Sequence, residues 1–289
     1  MSIATDAPTR PALRYHGGKW KLAPWIISYF PRHRTYVEPY GGAASVLLRK
    51  PRSYAEVYND LDGEIVNLFR VLRNPAQARE LVRLVELTPF SRAEFEDSYL
   101  AHGDPIEQAR RTLIRSFAGF GAAGTSGNAT GFRNNASRTG TTPAHDWANY
   151  PDPLALIAER MRGVTVEMRP AVDLVHMFDS PQTLFYLDPP YPLSTRGKQA
   201  AAAGYRFEMT DEQHGEMAAA LHSINGMAIV SGYACALYDR KLFADWSRIE
   251  KETHADGARD RTEVLWISPR TSAALQDVSG LPMFAEVLS

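Results

Sequence analysis

Short apolar runs alternate with stretches whose apolar positions recur at helical spacing, the pattern of an α/β protein. The strand candidates are Thr35–Glu38, Ala55–Asn59, Val164–Met168, Thr183–Leu187, Met227–Ser231, Trp246–Lys251 and Glu263–Ile267. Helix signals sit between several of them. The apolar face at Leu61 and Ile65 continues through Asn67–Leu72. Asp152-Pro153 reads as an N-cap and first helical residue, with Gly163 as the stop. Thr210 and Gln213 have capping-box spacing, and Met217, Leu221 and Ile224 then fall on one helix face before Asn225-Gly226 ends it. The rhythm breaks between Thr88 and Tyr150. Two helical segments, Arg92–Leu100 and Ile106–Phe117, lead there into a Gly/Ser/Thr/Asn/Arg stretch, Gly119–Thr142. The chain reads as an α/β body, residues 1–87 and 151–289, interrupted by an inserted subdomain, residues 88–150. No internal repeat is visible.

A chain of 289 residues with 44% hydrophobic and 22% charged residues has ordinary globular composition. Its net charge of −1 speaks against a small basic protein that coats DNA, but not against a local basic face. No stretch approaches the roughly 18 apolar residues that span a bilayer. Met1–Pro11 is polar, without a signal-peptide core, so a frayed tail on a cytoplasmic protein is expected. A single cysteine, Cys235, excludes an intramolecular disulfide and a cysteine-built zinc site, and is expected to be a small buried apolar residue. No metal site is expected.

Four segments carry candidate chemistry. Asp188-Pro189-Pro190-Tyr191 follows the run Thr183–Leu187, at the carboxyl end of a predicted central strand, where open α/β sheets bind ligands. Two prolines stiffen the turn and remove two donors. The Asp188 carboxylate, nearby carbonyls and an aromatic ring then suit a planar ligand with an exocyclic amine. A rigid turn with a surface tyrosine is the competing reading. Glu38-Pro39-Tyr40-Gly41-Gly42-Ala43-Ala44-Ser45 follows the first strand and opens a short helix that Pro51 ends. Its small residues allow close backbone approach to a ligand, though a plain glycine turn explains it equally well. Asp60 ends the second strand, where Rossmann-like folds hold a ribose; Asp62 competes, or caps the next helix. Arg14-Tyr15-His16-Gly17-Gly18-Lys19 precedes the first strand and reads alone as a basic turn or a carboxylate site. Two decoys fail. The literal GxGxxG at Gly119–Gly124 follows a helical segment rather than a strand, and His214 and His222 lack a zinc pattern and read as packing or polar-face residues.

In this order the four segments resemble the Dam-like N6-adenine DNA methyltransferase family, most of all its phage and prophage members with tyrosine in the glycine turn. The resemblance runs from about Arg14 to Pro269 and includes Tyr58-Asn59-Asp60-Leu61-Asp62 and the last strand. It implies a Rossmann-like S-adenosylmethionine-dependent fold, with a mostly parallel sheet, an antiparallel last strand and a helical and loop insert that recognises DNA. It also implies residue roles. Tyr15, Lys19, Gly42, Asp60 and Asp188 match cofactor-binding positions, and Asp173 is placed to contact the cofactor adenine. Asp188, Pro189 and Tyr191 match the catalytic motif. Two departures stand out. Arg14 replaces a lysine, and Ala44 replaces the second turn glycine, where its methyl is expected to crowd the methionine moiety.

The implied reaction transfers a methyl group from S-adenosylmethionine to N6 of adenine in double-stranded DNA. The base is flipped out, Asp188 and the Pro189 carbonyl accept the amine hydrogens, and Tyr191 stacks on the base. The freed nitrogen lone pair then attacks the sulfonium methyl in line. The insert is the expected DNA reader. Residues 108–145 hold Arg110, Arg111, Arg115, Arg133 and Arg138 and no aspartate or glutamate. Arg133, Asn134, Asn135 and Arg138 are the first candidates for DNA contact, while Arg110, Arg111 and Arg115 equally read as a solvated helix face. Pro192–Tyr205, with Arg196 and Lys198, is expected to be a loop that orders on DNA. Two other readings remain: a methyltransferase on another amine (N4 of cytosine, RNA or a protein glutamine), and a non-catalytic nucleic-acid-binding protein on the same scaffold. A monomer is expected.

Overall fold

The computed structural model describes residues 7–120, 129–134, 140–195, 205–254 and 260–279. Seven strands form one sheet: β1 (Thr35–Glu38), β2 (Ala55–Asn59), β3 (Thr165–Glu167), β4 (Thr183–Leu187), β5 (Met227–Tyr233), β6 (Ser247–His254) and β7 (Asp260–Ile267). Their order is β3-β2-β1-β4-β5-β7-β6. The first five run parallel, and β7 is antiparallel to both β5 and β6. β4 is buried along its whole length, as expected of a near-continuous apolar run in a parallel sheet covered on both faces.

Alternate strand residues feed two cores. Tyr36, Tyr58, Leu184, Tyr186 and Ile229 point to one face. There they meet α1 (Ala23–Ile27), α2 (Ser45–Arg49), α3 (Gly63–Arg73), α4 (Pro75–Leu87) and α8 (Pro151–Met161). Val37, Val57, Phe185, Leu187 and Val230 point to the other, against α9 (Ala171–Met177) and α10 (Asp211–Ser223). A last helix, α11 (Pro269–Ser279), follows β7. The reversal of strand order falls between β1 and β4. The loops leaving their carboxyl ends therefore diverge, and a crevice opens between them.

The helix boundaries follow local chemistry. Asp62 caps α3 by accepting from the Glu64 amide, and Asn74 caps α4 by accepting from Ala76 and Gln77. Thr210 and Gln213 form a reciprocal capping box on α10. α8 starts at Pro151, not at Asp152-Pro153. Pro151 and Pro153 both fit a first turn, whose amides have no helical partner, so the helix begins at the earlier one. In the 88–150 block, α5 (Arg92–Asp97), α6 (Pro105–Ala118) and α7 (Pro143–Ala148) form, and α6 packs on α3 and α4, sharing their core.

Three expectations need correction here. Arg10 is not part of a frayed tail: its guanidinium lies over Phe117 and Tyr150 and donates to the Asp146 carbonyl. Pro8 is buried, and Met1–Asp6 lie outside the described residues. Cys235 is half-buried, not buried, and burial raises its thiol pKa. Arg110, Arg111 and Arg115 are not a solvated face. Arg110 pairs with Glu94 and Glu107, Arg111 with Glu107, and the buried Arg115 with Glu64. Their partners Glu64, Glu94 and Glu107 all precede residues 108–145, so the acids that balance these arginines lie outside that window.

Candidate active site

The crevice is a cavity of about 490 Å³ at the carboxyl ends of the parallel strands. Tyr15, Lys19, Gly42, Asp60, Asp173 and Asp188 all line it, so the structure brings together every residue that the resemblance places at the cofactor. Asn59 ties its floor. The buried amide donates to the Pro39 and Arg169 carbonyls and accepts from the Arg169 amide, which joins the loops after β1, β2 and β3.

Two glycines shape the first loop for different reasons. A Cβ at Gly41 would stand 2.1 Å from the Tyr58 ring. Gly42 has φ +46°, and a Cβ there would stand 2.7 Å from the Tyr15 ring. Its amide donates to Asp60 at 2.8 Å, and its carbonyl accepts from the Tyr58 hydroxyl at 2.8 Å. Burial pushes the Asp60 carboxyl up to about 6, although the amides of Asp62 and Gly42 pull it down. Burial pushes Glu38, also in the wall, up to about 8; bonds from the Tyr36 hydroxyl and the Leu47 amide oppose this, and the Asp188 charge adds to it.

Ala44 takes the strained route. It is the only non-glycine with positive φ among the described residues, at +53°, in the left-handed region. Its methyl is fully buried and is not part of the cavity wall, which Ala43 and Ser45 supply. The expected crowding of the methionine moiety is therefore corrected: the cost of Ala44 is backbone strain, and the methyl points into the core.

Asp188 stands at the end of β4. Its Oδ1 accepts from the Ser231 hydroxyl at 3.0 Å, and its Oδ2 meets Lys19 Nζ at 2.9 Å. Lys19 also donates to the Gly17 carbonyl and stands 3.7 Å from Glu263. Burial works against its charge, yet Asp188 and Glu263 hold its pKa above the ordinary lysine value. Tyr191 is only 5% exposed, so it is not the surface tyrosine of the competing reading. The Lys19 ammonium lies 4.9 Å from its ring centroid, Tyr233 packs edge-on at 4.6 Å, and its hydroxyl donates to Glu263 at 2.6 Å.

The sequence reading missed several wall residues. Tyr205–Met209 close one side, with Arg206 reaching back 3.0 Å to Asp62. Tyr205 follows a polar, alanine-rich stretch, and no local pattern pointed to it. Ser45 ends the glycine turn and starts α2. Its hydroxyl is buried, lines the cavity and has no hydrogen-bond partner among the described residues. An orphaned polar atom, glycines that clear the wall and acidic acceptors on three loops together fit a polar ligand of nucleoside type with a cationic group.

Of the expected DNA contacts, Arg133 and Asn134 do not line the cavity. Arg133 is held against Asp146 at 3.4 Å and the Phe117 carbonyl, while Asn134 is exposed. Asn135 and Arg138 lie outside the described residues, as do Arg196 and Lys198. His214 is fully buried, with its Nδ1 2.8 Å from the Tyr238 hydroxyl, and Gly119 caps the end of α6. No group of residues fit to hold a metal ion occurs among the described residues. None of the described helices is long and apolar enough to cross a membrane.

No curated protein gives a significant match to the chain. A protein-family comparison matches residues 15–256, which contain the whole cavity wall and the Asp188–Tyr191 motif. The chain belongs to the D12 class N6 adenine-specific DNA methyltransferases.

Proposed function

We propose that the chain holds S-adenosylmethionine in the cavity and methylates an adenine flipped out of double-stranded DNA. The observation that carries this reading is the carboxylate of Asp188, fixed by Ser231 and Lys19 in the cavity wall at the strand-order reversal. When bound, the cofactor supplies an electrophilic methyl group on a sulfonium centre. Asp60 accepts hydrogen bonds from the ribose hydroxyls, Tyr15 and Gly42 bound the nucleoside, Asp173 takes the adenine edge, and Asp188 offers negative charge to the sulfonium side. Lys19, through Asp188, sets that charge.

The target amine is a poor nucleophile because its lone pair is delocalised into the ring. Asp188 and the Pro189 carbonyl accept its two hydrogens, which favours a tetrahedral nitrogen and frees the lone pair. Positioning and electrostatics then supply the catalysis. Tyr191, anchored through its hydroxyl by Glu263, stacks on the target base.

Residues 88–150 form the recognition subdomain in this reading, between the body segments 1–87 and 151–289. Asn134, Asn135 and Arg138 contact DNA directly, and Arg133 exchanges Asp146 for a phosphate. The protein acts as a cytoplasmic monomer, in a bacterium or on behalf of a phage. The test is Asp188→Ala. Methylation is expected to vanish while DNA affinity stays within about twofold of wild type. Turnover at the wild-type rate would overturn the assignment.

A further inference from the structure

Glu263 is the last charged residue before the apolar run Val264–Ile267 of β7. It sits near the start of β7, and because β7 is antiparallel its start lies at the same sheet edge as the carboxyl ends of the other strands. It pairs in register with Tyr233 on β5. The side chain is 2% exposed, and it lies beyond the residues 15–256 that the family comparison matches. A carboxylate so deeply buried is costly unless it is partnered and used.

Its partners are the catalytic motif itself. Oε1 accepts from the Tyr191 hydroxyl at 2.6 Å and lies 3.7 Å from Lys19 Nζ. The same ammonium is 2.9 Å from Asp188 Oδ2. Lys19 is thus shared between two carboxylates, with its third acceptor the Gly17 carbonyl at 2.9 Å and the Tyr191 ring beneath it. The three charged groups sum to one negative charge. Without Glu263 the sum would be zero, and the ammonium would belong to Asp188 alone.

We propose that Glu263 is a positioning residue for methyl transfer: it holds Tyr191 by its hydroxyl and draws Lys19 partly off Asp188, so that the Asp188 carboxylate keeps acceptor capacity for the target amine. Glu263 touches neither substrate nor cofactor. It acts through Lys19 and Tyr191, and the inference rests on Asp188 being the amine acceptor.

The test compares Glu263→Gln and Glu263→Asp with wild type, using S-adenosylmethionine and double-stranded DNA. The amide of Glu263→Gln still accepts from Tyr191 but carries no charge. Its kcat is expected to fall about 10- to 100-fold, as for a misplaced catalytic group, while cofactor affinity by calorimetry stays within about twofold. Glu263→Asp restores the charge, and its kcat is expected to lie between the two. Combining Glu263→Gln with Lys19→Met should cost no more than Lys19→Met alone, because both act on one ammonium. A kcat for folded Glu263→Gln within about twofold of wild type would overturn the proposal. So would a loss of cofactor affinity as large as the loss of kcat, which marks a collapsed cavity. If Glu263→Gln does not fold, Glu263→Asp carries the test, and a wild-type kcat in that variant together with unchanged kcat in Tyr191→Phe overturns the proposal. A wild-type enzyme that makes no N6-methyladenine would instead remove the reading on which it rests.

Discussion

Asp60 holds the Gly42 amide and faces the cavity with a carboxyl pushed up to about 6 by burial. Ligand hydroxyls donate to its ionised form and therefore favour it. Below about pH 6 the group is protonated in the free protein, and binding must expel that proton. Cofactor affinity is thus expected to rise with pH through about 6, and Asp60→Asn should flatten the rise; calorimetric titrations across that range decide it. An unchanged slope in Asp60→Asn would remove Asp60 from the ribose role. Ala44 gives a second residue-scale prediction. Replacing it by glycine relieves left-handed strain of about 1–2 kcal/mol. Against that stand a buried methyl of about 0.8 kcal/mol and glycine entropy of about 0.5–1 kcal/mol. The terms nearly cancel, so Ala44→Gly should shift stability by less than about 1 kcal/mol. Because the methyl faces the core, cofactor affinity should stay within about twofold, as chemical denaturation and calorimetry would report.

At the scale of elements, a buried ionic cluster fixes α2 and α8 to the sheet. Glu56 on β2 accepts from Lys50 at 2.6 Å and from Arg160 at 2.7 Å, and Arg160 also donates to the Leu47 carbonyl. Glu56→Gln would leave two buried cations without their counter-charge, a loss of about 3–5 kcal/mol of stability. A denaturation midpoint unchanged by the substitution would show that the cluster holds nothing. The strands were legible because they carry their own signal. Thr183–Leu187 is five apolar or β-favouring residues bounded by polar ones, and it is strand over that span. Thr210 and Gln213 announced α10 for the same local reason. The charge of α6 was not legible. Arg115 meets Glu64, which lies 51 positions earlier, and only the packing of α6 on α3 makes that pair.

Across the whole molecule, the acidic half of the site was readable from motif order, because strand ends and glycine turns are local. What joins these pieces was not. Tyr205–Met209 reach the cavity from a segment without a helix or strand pattern, and Glu263 reaches Tyr191 across 72 positions. A charge abutting the apolar run Val264–Ile267 was the available signal for Glu263, and it has meaning only once β7 is known to run antiparallel. The same holds for the net charge of −1. Four arginines of the 108–145 window, Arg110, Arg111, Arg115 and Arg133, stand in internal ion pairs, so DNA binding falls to fewer free cations than their number suggests. The measurement that tests the account most directly is nucleoside analysis of DNA after incubation with the protein and S-adenosylmethionine. The account predicts N6-methyladenine with the wild-type chain and none with Asp188→Ala. N4-methylcytosine, or no methylated nucleoside from a folded wild-type protein that binds the cofactor, would contradict it.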